Sequence, residues 1–219
     1  MEVDIAEALR YLGIGHSPPE DLRRQTAELA RMLTARVTPR YVCRIFPLEF
    51  GEGGIRLAQT EAVLTGRTAH VMLAQCRQAA VLCCTLGAEF EALRRAWQAR
   101  DMAQAAILDA CGSALVEAGC DAAQEELARR CPQSYFTDRF SPGYGDLPLE
   151  LQRPICALLD TPRRVGVHVT EHLLLNPGKS VTAIVGLSDQ PQAARIRGCG
   201  FCKLNQSCPY RKEGTTCGA

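Results

Sequence analysis

Three groups of residues in this chain have the types and spacing to do chemistry. The first is the stretch Arg-Phe-Ser-Pro-Gly-Tyr-Gly-Asp-Leu-Pro at 139–148, a turn carrying a cation and a phenol between glycines and prolines. Arg139 can grip a carboxylate through paired N–H groups. Pro142 fixes one dihedral, and Gly143 lets the backbone approach a ligand with no side chain in the way. Tyr144 adds a flat face and a hydroxyl. Together they suit an amphoteric ligand bearing a carboxylate and a ring, such as an amino acid joined to a nucleoside. The same residues also suit a purely structural turn, with Arg139 paired to Asp138 or Asp146.

The second group is Asp109, Ser113, Glu117 and Asp121, spaced four apart. On a helix that interval drifts only about 40° per step, so the four form one polar stripe. The stripe is either a solvated face, or it turns Glu117, flanked by Val116 and Ala118, into a cleft where a carboxylate meets an ammonium group. The third group is cysteine. The chain has 12, and Cys199, Cys202, Cys208 and Cys217 crowd its end. Cys199-Gly-Phe-Cys202 is a thiolate knuckle, and the two further thiols complete a four-ligand set for a metal or cluster. Arg197, Lys203, Arg211 and Lys212 would lower the thiol pKa values and offset the site's negative charge. Iron–sulfur and zinc both remain open on spacing. Cys43, Cys76, Cys83, Cys84, Cys111, Cys120, Cys131 and Cys156 lie mostly among apolar neighbours and read as small core hydrophobes.

The elements that must position these groups follow from periodicity. Residues 4–12 read as a short helix closed by Gly13. Ser17-Pro18-Pro19-Glu20 reads as a capped start for a helix running to about 36, with Leu22, Leu29 and Leu33 on its apolar side. Residues 41–50, the turn 51–54 and residues 55–57 predict a β-hairpin. The apolar run 79–86 predicts a strand buried on both faces. Helices are expected over 88–99 and 102–130, the second rich in small residues, and near 149–159. Residues 164–170 and 180–187 read as strands joined by Asn176-Pro177-Gly178-Lys179. His168 is expected to pack within the first of these; His172, near its end, carries no signal. Helices and strands mix without a βαβ rhythm. That pattern predicts an α+β domain around a largely antiparallel, twisted sheet with flanking helices. Pro191 divides the chain into a domain at 1–190 and a cysteine-rich tail at 191–219, which is too poor in large apolar residues to fold without docking or a metal.

Bulk composition excludes several classes. With 47% hydrophobic and 22% charged residues among 219, the chain is ordinary for a folded protein. Lys and Arg number 25 against 24 Asp and Glu, so nothing electrostatic points to nucleic acid or a membrane surface. No apolar run approaches the ~20 residues that span a bilayer. The opening Met-Glu-Val-Asp-Ile lacks a signal-peptide pattern, which places the protein in the cytoplasm. Neither a dinucleotide-binding Gly-x-Gly-x-x-Gly after a strand nor a P-loop occurs.

The loop, with the Arg139-x-x-x-Gly143-Tyr144 spacing in Arg-Phe-Ser-Pro-Gly-Tyr-Gly-Asp-Leu-Pro-Leu-Glu-Leu-Gln, resembles the S-adenosylmethionine motif of the activation domain of cobalamin-dependent methionine synthase. Asn176-Pro-Gly-Lys-Ser-Val-Thr-Ala183 is similar to the family's later strand segment. Ala114-Leu-Val-Glu117-Ala falls where the family has a ligand-facing glutamate. Residues 6–13 and 85–87 resemble the free-standing form, in which the activation domain is a separate polypeptide. The likeness spans roughly residues 4–188. It implies that the protein binds S-adenosylmethionine and presents its methyl group to cobalamin on a partner, either a methionine synthase or a related corrinoid protein, when inactive cob(II)alamin is reduced. By the resemblance Arg139 would hold the methionyl carboxylate, Glu117 would face the ligand's polar groups, and Pro142, Gly143 and Tyr144 would shape the wall. No Asp-x-His-x-x-Gly cobalamin motif is present, so the corrinoid is expected on the partner. The cysteine tail has no counterpart in the fused enzymes, where a flavoprotein supplies the electron. That context favours an iron–sulfur cluster over zinc, with a flavodoxin or ferredoxin as a further possible donor. Two other readings stand beside this one: a zinc-stabilised interaction module, and a cobalamin-independent S-adenosylmethionine methyltransferase, for which no substrate base stands out near Arg139 and Tyr144.

Overall fold

The structure is a computed structural model describing residues 1–14, 17–192, 206, 207 and 212. The four tail cysteines lie outside the described residues.

A six-stranded antiparallel sheet carries helices on both faces. Its strands are β1 (Arg40–Gly51), β2 (Gly54–Leu57), β3 (Val63–Leu64), β4 (Gln78–Thr85), β5 (Tyr135–Phe136) and β8 (Ser180–Ser188), in the order β3-β2-β1-β4-β8-β5. The expected α+β class and antiparallel sheet are what the chain forms. β4 is central, pairing with β1 and with β8 over its whole length. Strand alternation therefore sends Ala80, Leu82 and Cys84 to one face and Ala79, Val81 and Cys83 to the other, all at 0% exposure. A continuous apolar run is the signature of a strand buried on both sides.

On the first face pack α1 (Ile5–Tyr11), α2 (Glu20–Thr34), α4 (Gly87–Gln98) and the long α5 (Met102–Arg130). α5 contributes Leu108, Cys111, Leu115 and Cys120 to this core. On the second face lie α3 (Arg67–Leu73) and α6 (Gln152–Leu159), with Phe140 and Leu147 from the loop packed between them and the sheet. A small hairpin of β6 (His168–Val169) and β7 (Leu175–Asn176) stands apart from the main sheet.

Several local expectations are corrected. α2 begins after Pro19, and Ser17 makes no capping bond. Residues 164–170 do not form a strand: α7 (Thr161–Arg164) occupies the start, and only His168 and Val169 are extended. His168 is exposed rather than packed. α3 is an element that periodicity missed. Cys76, Cys83, Cys84, Cys111, Cys120 and Cys156 are buried, while Cys43 and Cys131 are half-buried. Among the described residues no helix is long and apolar enough to cross a membrane.

Candidate functional site

The edge of the sheet creates the site. Phe136 pairs with Leu187, and Phe140 bridges Ile184. Four steps on the outer strand thus face three on β8; Thr137 N–H still reaches Gly186 O at 3.1 Å, so the extra residue makes a bulge at Asp138–Arg139, opposite Val185. The Thr137 hydroxyl replaces the lost ladder bond, accepting the Gly186 N–H at 2.8 Å. The bulge changes which side each residue faces. Phe136 packs on the α5 side, Phe140 drops into the opposite core, and Arg139 between them is turned back toward α5.

There Arg139 meets the polar stripe of α5. Its side chain is 7% exposed. Nη1 donates to Asp121 Oδ1 at 2.6 Å and to Gln124 Oε1 at 3.2 Å, and Nη2 donates to Glu117 Oε2 at 3.0 Å. Burial works against the guanidinium charge, but the bond and charge of Asp121, with the charge of Glu117, outweigh it and raise the Arg139 pKa above its usual value. The turn reading is corrected here: the partners of Arg139 are acids on the helix, neither Asp138 nor Asp146. Beneath it, the Cys120 thiol is pushed far up, first by its hydrogen bond with Cys84 and then by burial, so it is no nucleophile.

The two ends of the stripe meet different cations, Arg139 at one end and Lys179, with Arg94 4.0 Å from Asp109, at the other. At its N-terminal end Lys179 Nζ donates to Asp109 Oδ2 and Ser113 Oγ, both at 2.8 Å. Gly178 N–H is held beside it by Glu91 Oε1 at 3.0 Å. This end ties the 176–180 loop to α4 and α5 and is structural. The Arg139 end opens into a cleft of about 500 Å³ lined by Asp121, Gln124, Glu125, Ala128, Phe136, Thr137, Asp138 and Arg139. That size lies within the range of small-ligand pockets. Glu117 is not among the lining residues; it holds Arg139 from behind. Gln124, Glu125 and Ala128 continue the stripe at helical spacing, so its periodicity could have been followed further along the sequence. Thr137 and Asp138 gave no such signal, because their place depends on the bulge.

The rest of the loop is anchored away from the cleft. Pro142 is buried, Gly143 has φ +89°, and Tyr144 stays 52% exposed. These three predicted residues share the loop of Arg139 but do not line the cleft. Asp146 accepts from Arg67 N at 2.6 Å and Thr68 N at 2.9 Å, which clamps the loop onto the start of α3. Gly145 is required by this close approach, since a Cβ there would lie 2.4 Å from Thr68 Oγ1 at a φ of +57°.

No protein-family model matches the sequence, and no curated protein matches it. Among solved structures, the MetH reactivation domain bound to AdoHcy is similar, with a TM-score of 0.68 and 17% identity over 99% of this chain and 82% of that one. At that identity the likeness establishes a shared fold.

Proposed function

We propose that the chain binds S-adenosylmethionine in the cleft between α5 and the Phe136–Arg139 segment and acts as a reactivation module for a cobalamin-dependent methionine synthase or related corrinoid protein. One observation carries the reading: a nearly buried arginine, steadied by Glu117 and Asp121, at the wall of a small-ligand cleft. The reading is supported by the shared fold, since that neighbour holds the demethylated form of the same ligand.

The residues fit such a ligand. Among the described lining residues the cation is Arg139, with the carboxylates of Asp121 and Glu125 beside it. Acids next to the arginine suit a molecule that carries an ammonium and a sulfonium as well as a carboxylate. Arg139 would orient the carboxylate, and Glu117 would keep the guanidinium in place. The bound sulfonium is already an activated methyl donor, so the work of the protein is positioning. The cobalamin would belong to the partner.

The finer part of the proposal concerns residues 191–219 as a separate unit. Cys199, Cys202, Cys208 and Cys217 would hold an iron–sulfur cluster, with zinc as the alternative, and a flavodoxin or ferredoxin would feed the electron. Anaerobically purified protein with visible charge-transfer absorption and bound iron supports the cluster; colourless protein with one zinc removes it. The function itself is tested by mixing the protein with a cob(II)alamin-loaded synthase, reductant and S-adenosylmethionine and following methylation of the corrinoid by absorbance. Direct titration of S-adenosylmethionine by calorimetry provides a second readout. Neither binding nor conversion above a control lacking the protein would sink the proposal.

A further inference from the structure

Resting on that reading of the cleft, we infer that Asp121 is an internal stand-in for the ligand's carboxylate, the group that an incoming amino-acid head must displace from Arg139. Three observations converge. First, the cleft reaches Arg139 from the Nη1 side: Asp121 and Gln124, the two acceptors of Nη1, line it, and Glu117, the acceptor of Nη2, does not. A carboxylate entering the cleft therefore meets a donor that is already occupied. Second, the two acids differ in how readily they can leave. The Asp121 side chain is 63% exposed and the Glu117 side chain 35%, so Asp121 rotates into water at little desolvation cost while Glu117 stays on Nη2. Third, the Asp121 bond is the shorter, 2.6 Å against 3.0 Å. The ligand must break a charge-assisted bond before making its own.

The exchange also defines which ligands feel Asp121. A ligand with a carboxylate sends Asp121 from Nη1 into water, where its exposed side chain is solvated. A ligand without one leaves the Asp121–Arg139 bond in place. Asp121 thus lowers affinity for carboxylate-bearing ligands alone, acting through Arg139.

The test compares S-adenosylmethionine with 5′-methylthioadenosine, which lacks the amino-acid head, by calorimetric titration of the whole chain and of Asp121→Asn and Asp121→Ala. Removing the competitor's charge is expected to tighten S-adenosylmethionine by roughly two- to fivefold, the worth of a partly exposed ion pair. Methylthioadenosine is expected to bind both variants as it binds the parent. Thermal unfolding shows which of the two variants is folded, and the folded one decides. Weaker S-adenosylmethionine binding by that variant overturns the inference, and so does an equal change for both compounds. A parent chain that binds neither compound removes the reading of the cleft itself, and the inference falls with it.

Discussion

Arg139 and Asp121 stand 2.6 Å apart, nitrogen to oxygen, although 18 positions separate them in the chain. The first comes from a bulged sheet edge and the second from the middle of a helix. Their pairing, with Glu117 on the opposite nitrogen, joins the catchall polar stripe of α5 to the loop that follows β5.

Breaking this cluster from the arginine side should cost stability. Arg139→Met leaves Glu117 and Asp121 facing each other without their cation, and the expected loss is about 1–3 kcal/mol in urea unfolding. Arg139→Lys should fall between the two, because a single ammonium cannot span both acids as a planar fork does. A variant as stable as the parent would mean that the cluster is not formed in solution.

The two ends of the α5 stripe should behave differently. Lys179→Met removes a cation that is 20% exposed from an Asp109 that is 44% exposed. Allowing for solvent screening, it should destabilise by about 1 kcal/mol or less. It should leave S-adenosylmethionine affinity unchanged, since the Lys179 contacts lie outside the cleft. Loss of binding in this variant would place the ligand along the wrong half of the helix.

Acid should loosen the loop through Asp146. Its carboxyl titrates at about 2, below the usual 3.8, because the Thr68 hydroxyl and then the Thr68 and Arg67 backbone N–H groups favour the charged form. A depressed folded-state pKa gives stability that is complete above the unfolded value and fades as pH falls from about 4 toward 2. Urea midpoints of the parent and Asp146→Asn should differ at pH 5 and converge near pH 2. A difference that persists unchanged at pH 2 would contradict the clamp.

Close packing of α4 on α5 makes a sharper steric prediction. A Cβ at Gly112 would lie 2.4 Å from the ring of Phe90, which is fully buried. Alanine at a helix interior normally gains about 1 kcal/mol over glycine. Here overpacking should win, and Gly112→Ala should lower stability by about 1–3 kcal/mol, visible as a reduced thermal midpoint. A raised midpoint would mean that Phe90 has room to turn aside.

Much of this architecture was legible because it is local. The spacing of Leu29 and Leu33, the unbroken run through β4 and the alanine-rich length of α5 each report a face that must be covered. Elements held by distant partners were not legible. α3 is only 7 residues long and is capped by Asp146, 79 positions from Arg67. The two-residue strands β5, β6 and β7 are too short to show alternation.

The candidate site divides along the same line. Residue types and helical spacing marked Glu117 and Asp121 as one stripe and Arg139 as a cation in a constrained loop. Those properties are written in the covalent chain and the 3.6-residue turn of a helix. The pairing of stripe and cation was written in neither. It depends on one extra residue between Phe136 and Phe140, which reverses the facing of Arg139 across the sheet edge. A strand's side chains alternate strictly, so a single-residue slip moves a side chain from one face to the other, and only the register against β8 settles which face Arg139 meets.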